Sequence, residues 1–171
     1  MRPTPSPFVA AAILAIVAFA SACTSGSVDT QGSSEEIDSA LRAVHDRMRA
    51  AERVFVGTVT AVTARWEITS FGDHIIVSRA DFDIDEAIKG PVDDDWLPIE
   101  VRGGTIGELT LTVSHVPLLH RTQRAIVFAN PVRGDAYALV GEEEGFVELD
   151  VTNQVRGSHL KLDDFRRLAH R

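Results

Sequence analysis

The stretch His74 to Asp85, HIIVSRADFDID, alternates apolar and polar side chains with a period of two. Ile76, Ser78, Ala80, Phe82 and Ile84 fall on one face, and Arg79, Asp81, Asp83 and Asp85 fall on the other. Successive side chains of a strand point to opposite sides, so this segment is a half-buried strand with a solvated outer face. Upstream, Arg53 to Val62 (RVFVGTVTAV) is rich in β-branched residues, and Gly57 within it marks a bulge or a close approach of two backbones. Downstream, Glu86 to Pro91 (EAIKGP) closes the strand in a short turn at Gly90, and Asp93 to Asp95 reads as a solvated loop.

Further strands are expected at Leu97–Arg102, Glu108–Val113, Arg124–Ala129 and Tyr137–Val140, with a pairing segment at Gly145–Leu149. The segment Gly103-Gly104-Thr105-Ile106-Gly107 lacks the Lys-Ser/Thr of a phosphate loop and lies between strands, so it reads as a tight connection. Consecutive strands joined by short turns predict an antiparallel sheet, and closing it into a small barrel removes exposed edges. The expected fold class is therefore mainly β, a small antiparallel OB-like barrel flanked by an N-terminal and a C-terminal helix. A β-sandwich is the alternative.

The N-terminal helix is signalled by Ile37, Leu41, Val44, Met48 and Ala51 at helical spacing, with Ser33 and Glu36 in the form of a capping box. Its single apolar stripe implies one packing partner. The C-terminal helix starts at about Leu162 and turns Leu162, Phe165 and Leu168 inward. Gly57, Gly90, Gly103, Gly104 and Gly107 are the structural glycines of this reading.

Ahead of the domain, Arg2 precedes an uncharged apolar run of 13 residues, Phe8 to Ala20, followed by Ala20-Ser21-Ala22 and the chain's one cysteine, Cys23. The run suits the core of an export signal, whereas spanning a bilayer takes about 20 residues. Ala20 and Ala22 satisfy the A-x-A rule of general signal peptidase, and Ala20-Ser21-Ala22-Cys23 resembles a bacterial lipobox with Ala in place of the usual Leu. The lone cysteine falls where a lipoprotein needs it, which favours cleavage between Ala22 and Cys23. The resemblance implies lipid on the Cys23 sulfur and an anchor on the extracytoplasmic side of the cell membrane or outer membrane. Residues 1–22 are then the signal peptide, 23–34 the lipidated cysteine with a polar tether spanning about 18 Å, and 35–171 one domain.

Removing residues 1–22 leaves 149 residues and takes the formal net charge from −8 to −9. Such a surface repels nucleic acid and anionic headgroups, and no basic cluster offsets it. Export permits disulfides, but Cys23 has no second cysteine to pair with, so stability rests on the core.

Ala51 to Val59 (AERVFVGTV), Ile84 to Gly90 (IDEAIKG), Val101 to Gly104 with Gly107, and Ala125 to Phe128 (AIVF) resemble a bacterial exported β-domain. That family is similar to domains accompanying matrixin-type zinc proteases, and the strand-and-turn pattern is also similar to netrin-like or TIMP-like OB barrels. The resemblance covers about Ala51 to Asp150. It implies a fold without naming a reaction. TIMP-like inhibitors reach zinc through a free N-terminal cysteine amine braced by disulfides, whereas Cys23 here is unpaired and in the lipidation position.

Catalytic patterns are missing from the sequence. There is no H-E-x-x-H to hold zinc and no G-x-S-x-G elbow, and His115 and His120 lie five apart around Pro117. Asp81, Asp83 and Asp85 match the start of a calcium loop, but Glu86 stands where Gly is needed and Val92 where Glu is needed. Glu142 to Glu144 reads as a charged turn. The expectation is a non-catalytic, lipid-anchored binding or accessory module, with no catalytic residue, metal or cofactor, held at the membrane and meeting an envelope protein partner rather than nucleic acid. Two alternatives stay open: a hydrolase using loop carboxylates, and a scaffold docking through the helix Glu36 to Glu52.

Overall fold

In a computed structural model, which describes residues 30–91, 95–132 and 134–170, helix α1 (Thr30–Ala50) precedes eight strands and helix α2 (Leu162–Ala169) follows them, counted among the described residues. The strands are β1 (Arg53–Ile68), β2 (His74–Lys89), β3 (Trp96–Arg102), β4 (Gly104–Ile106), β5 (Leu109–Leu111), β6 (Arg124–Pro131), β7 (Tyr137–Leu139) and β8 (Phe146–Glu148). The protein is mainly β. Strands β1, β2, β3, β7, β6 and β8 form one sheet in that order, and β1 also pairs with β6. Hydrogen bonds thus run around a ring of β1, β2, β3, β7 and β6, with β8 added to β6. The export signal and Cys23 lie outside the described residues.

Two strands carry unbroken apolar runs, Val54–Val56 in β1 and Ala125–Ala129 in β6, because they are buried on both faces. Phe55, Val59, Ala125, Val127 and Ala129 point into the ring, where they meet Ala80, Phe82, Leu97, Ile99 and Val101. Val54, Val56, Ile126 and Phe128 point the other way and are covered by Val44 and Met48 of α1 and Leu162 and Phe165 of α2. In β2 the expected alternation holds from Ser78 to Asp83, with Ser78, Ala80 and Phe82 buried, Arg79 and Asp81 half-buried and Asp83 exposed, but at its start Val77 on the outer face is buried as well, so Ile76–Ser78 is covered on both sides.

The structure corrects several expectations. The sheet is not wholly antiparallel, because β3 and β7 pair in parallel through Ile99–Tyr137 and Glu100–Ala138. That pairing closes the ring between segments far apart in the chain, so no local turn announces it. Strand β1 runs to Ile68 and β2 to Lys89, making one long hairpin. The expected strand Glu108–Val113 shortens to Leu109–Leu111, because its partner β4 lies within the glycine connection and is three residues long. Helix α1 begins at Thr30, ahead of the expected cap at Ser33 and inside the stretch read as tether, since extending a formed helix adds one hydrogen bond per residue fixed. Ile37, expected in the apolar stripe, is 39% exposed, so packing begins nearer Leu41.

The joint between α1 and the sheet is built by side chains from two other strands. The last four carbonyls of a helix lack partners within it. Here the Lys89 ammonium at the end of β2 donates to Met48 O at 2.7 Å, Ala51 O at 2.6 Å and, more weakly, Arg49 O at 3.4 Å. Asn130 of β6 donates to Ala50 O at 3.2 Å and accepts from the Glu52 N–H at 2.6 Å. Gly90 follows Lys89 at φ 80°, and a Cβ there would run into Glu52 O, so the turn needs glycine both for its conformation and for the close approach. Higher on α1, Arg47 lies 5.6 Å above the Phe128 ring and pairs with Glu144 at 2.6 Å.

Helix α2 is held to β2 by a two-pronged pair, Arg166 Nε to Glu86 Oε1 at 2.9 Å and Nη2 to Oε2 at 2.6 Å. The Arg166 guanidinium holds the Glu86 carboxyl below its ordinary range. A carboxyl whose pKa is depressed on folding contributes stability above its unfolded value and loses it as the pH falls through the folded value. Glu86→Gln therefore lowers stability by an amount that stays constant above the ordinary glutamate range and closes as acidification protonates the folded carboxyl below it, read from urea midpoints across a pH series. Lys89→Met, which removes the helix clamp while keeping the aliphatic stem, is expected to cost about 1.5–3 kcal/mol in the same assay.

Candidate functional site

Strand β6 covers β1 only from Arg53 to Thr58, so the β1–β2 hairpin continues past the ring with β1 at its margin. One face of this extension carries Val62, Ala64, Trp66 and Ile68, opposite Ala80, Ser78, Ile76 and His74 of β2. The β4–β5 hairpin lies on that face. It gets there through two glycines, Gly103 at φ 98° and Gly104 at φ 128°. A Cβ on Gly103 would come within 2.8 Å of Leu111 O, and one on Gly104 would collide with Ser78 Oγ. Ser78 Oγ in turn donates to Gly103 O at 2.7 Å, and the Gly103 N–H donates to Ile76 O at 2.7 Å. Only a backbone without side chains can lie this close to the hairpin.

Between this face and the segment Leu118–Arg121 runs a groove of about 270 Å³, lined by Val62, Ala64, Ser78, Gly104, Thr105 and the four loop residues. Leu119 is buried in the ring interior, which pins the loop, while Leu118 is 51% exposed. The His120 N–H donates to Gln123 Oε1 at 2.6 Å. The groove thus has mixed walls, apolar at Val62, Ala64 and Leu118 and polar at Ser78, Thr105, His120 and Arg121. Beyond it the hairpin carries Trp66, Ile68 and Phe71 outward at 50%, 62% and 91% exposure. Such a surface suits an amphipathic ligand or a partner's apolar side chains.

A larger groove of about 540 Å³ runs along Thr58, Arg124, Glu148, Asp150 and Arg156. Each of its charged side chains already has a partner. Arg124 pairs with Asp85 at 2.8 Å and Arg156 with Glu148 at 3.3 Å. Asp150 accepts hydrogen bonds from the Thr152 hydroxyl and from the Thr152 and Gln154 N–H groups, which hold its carboxyl below the ordinary aspartate range. This groove is organised as a braced loop.

The remaining residues singled out from the sequence are scattered. Gly57 sits at a register shift between β1 and β2, and a Cβ there would come within 2.7 Å of Asp83 O, so bulge and close approach coincide. Gly107 turns the β4–β5 hairpin at φ 60°. Asp81 accepts from Arg79, Asp85 from Arg124, and Asp83 is exposed, so the three do not converge on one point. Glu142 pairs with Arg102 and Glu144 with Arg47, which makes the acidic turn a brace between β3 and α1. His115 sits at φ 62° with its carbonyl accepting from the Glu143 N–H. Among the described residues no three His, Cys, Asp or Glu side chains converge as a metal site.

Trp66, Ile68 and Phe71 were missed from the sequence. Their signal was there: Val62, Ala64, Trp66 and Ile68 extend the period-two pattern of β1 beyond Val62. No protein-family model and no curated protein matches the chain. Gly104→Ala tests the construction of the groove. It is expected to lower stability by about 1–3 kcal/mol through overpacking against Ser78 and to raise amide exchange across β4 and β5, measured by hydrogen exchange.

Proposed function

We propose that this protein is a lipid-anchored cell-envelope protein whose single β-domain works as a non-catalytic binding or accessory module. The observation that carries the reading is the set of apolar side chains outside the ring, Ile68, Phe71 and Leu118, exposed at 62%, 91% and 51%, with Leu118 lining a groove of mixed polar and apolar walls. Large apolar side chains gathered on an exposed projection cost solubility unless something covers them. The five-strand ring supports an OB-like barrel, an architecture that presents its binding surface on strand faces and the loop between its first two strands. The resemblance of the glycine turns to exported β-domains accompanying matrixin-type proteases supports an accessory role. The lipobox-like Ala20 to Cys23 supports anchoring at the cell membrane or outer membrane. Among the described residues no helix is long and apolar enough to cross a membrane.

Two measurements test this reading. Cys23→Ala is expected to move the protein from the membrane fraction to the soluble fraction or to leave it uncleaved, and unchanged fractionation counts against the anchor. A photo-crosslinking residue at position 71 is expected to trap one dominant envelope protein in cells, with the same residue at Asp83 as the control. Equal labelling from both positions, or none from position 71, removes the case for a binding rim.

A further inference from the structure

The outer edge of the β1–β2 hairpin has the chemistry of a strand waiting for a partner. Val59 still pairs with the chain ahead of β6, its N–H donating to Gln123 O at 2.9 Å and its carbonyl accepting from the Thr122 N–H at 2.8 Å, and beyond it no strand pairs with that edge of β1 among the described residues. The direction of its backbone groups follows from the hairpin. The Thr69 N–H donates to Asp73 O at 2.9 Å, so Thr69 turns its groups towards β2. Antiparallel pairing alternates, so residues 67 and 65 do the same, and residues 68, 66 and 64 turn their N–H and C=O groups outward. Ala64, Trp66 and Ile68 therefore offer free backbone groups at the edge and apolar side chains on one face, while Arg65 and Glu67 occupy the other face.

We propose that this edge binds a second copy of the same chain, antiparallel, about a two-fold axis at Trp66. A register centred there sets residue 66 against 66 and 64 against 68, all residues with outward backbone groups, so the hydrogen bonds are satisfied in both directions. The same register sets Ala64 against Ile68 and Trp66 against Trp66 on the apolar face. On the other face it sets Arg65, which within its own chain already pairs with Glu100 at 2.9 Å and Glu67 at 3.3 Å, against Glu67 of the second copy, twice, so the contact extends an exposed charge network across the axis. Centring on Ala64 also satisfies the backbone but sets Arg65 against Thr63, so the charges select Trp66. Charges on a strand edge normally keep two edges apart. Here opposite signs flank the axis, and pairing brings unlike charges together. Trp66 at 50% and Ile68 at 62% exposure are the side chains this contact covers. A pair of five-residue strands buries less than the roughly 1,200 Å² of a stable specific interface, so the dimer is expected to dissociate in the micromolar range or above.

Charge exchange tests the register. The purified full chain is examined by sedimentation velocity from about 1 µM to several hundred µM, with circular dichroism melting to confirm that each variant is folded. Wild type is expected to sediment increasingly as a dimer. Arg65→Glu and Glu67→Arg, each alone, set like charges across both contacts and are expected to weaken dimerisation at least about tenfold. The Arg65→Glu/Glu67→Arg double variant is expected to dimerise again, and an equal mixture of the two single variants to form a mixed dimer. A chain that remains monomeric throughout overturns the proposal. So does a dimer that the single exchanges leave unchanged, or one that neither the double variant nor the mixture restores.

Discussion

The six residue pairs that join Arg53–Thr58 to Arg124–Ala129 are the constraint on which the rest of the structure depends. Both segments are apolar on both faces, so pairing them produces a two-sided hydrophobic slab that must be covered twice. The ring covers one side, and the two helices cover the other. The helices are therefore not ornaments on a finished sheet. Without α1 and α2, Val54, Val56, Ile126 and Phe128 would lie in water. Without the β3–β7 closure, Phe55 and Val127 would lose the far wall of their pocket. Each cover presupposes the slab, which makes a single cooperative unit the natural outcome.

Charged side chains then fix how the covers sit. Non-directional apolar burial tolerates sliding, whereas a bidentate arginine or a three-way ammonium does not. Glu86 with Arg166 sets α2 on β2, Glu144 with Arg47 sets α1 against the acidic turn, and Lys89 sets the end of α1 on the sheet. The two ion pairs are partly exposed and each contributes modestly to stability, whereas the Lys89 clamp contributes more. Their joint effect is on geometry, since they converge on both helices from β2 and from the turn ahead of β8.

What the sequence disclosed, and what it withheld, follows from the range of each interaction. The alternation from His74 to Asp85 reports burial of one face and is visible because it is local. The run Val54–Val56 is equally local, yet its meaning, burial on both faces, depends on helices placed far along the chain. The parallel contact of Ile99 with Tyr137 leaves no local trace, so an all-antiparallel sheet was the natural expectation. The glycines were legible as turns and close approaches, but not the atoms that demand them: Glu52 O at Gly90 and Ser78 Oγ at Gly104. The groove beside the hairpin was hidden because its walls, β1 and Leu118–Arg121, meet only after the loop is anchored by Leu119. Lys89 looked like an ordinary turn residue, and its role as a helix cap requires knowing where α1 ends.

The Lys89 and Asn130 clamp also determines how mechanical load enters the domain. Tension along α1 arrives at Ala50–Glu52, where the backbone is tied to β2 through Lys89 and to β6 through Asn130 before it continues into β1. The force is shared among three neighbouring strands instead of being concentrated on the first backbone pair of one. Strands pulled along their length resist by shearing many hydrogen bonds together. A domain pulled from its N-terminal end would, by this arrangement, stretch or unwind its leading helix before its sheet came apart.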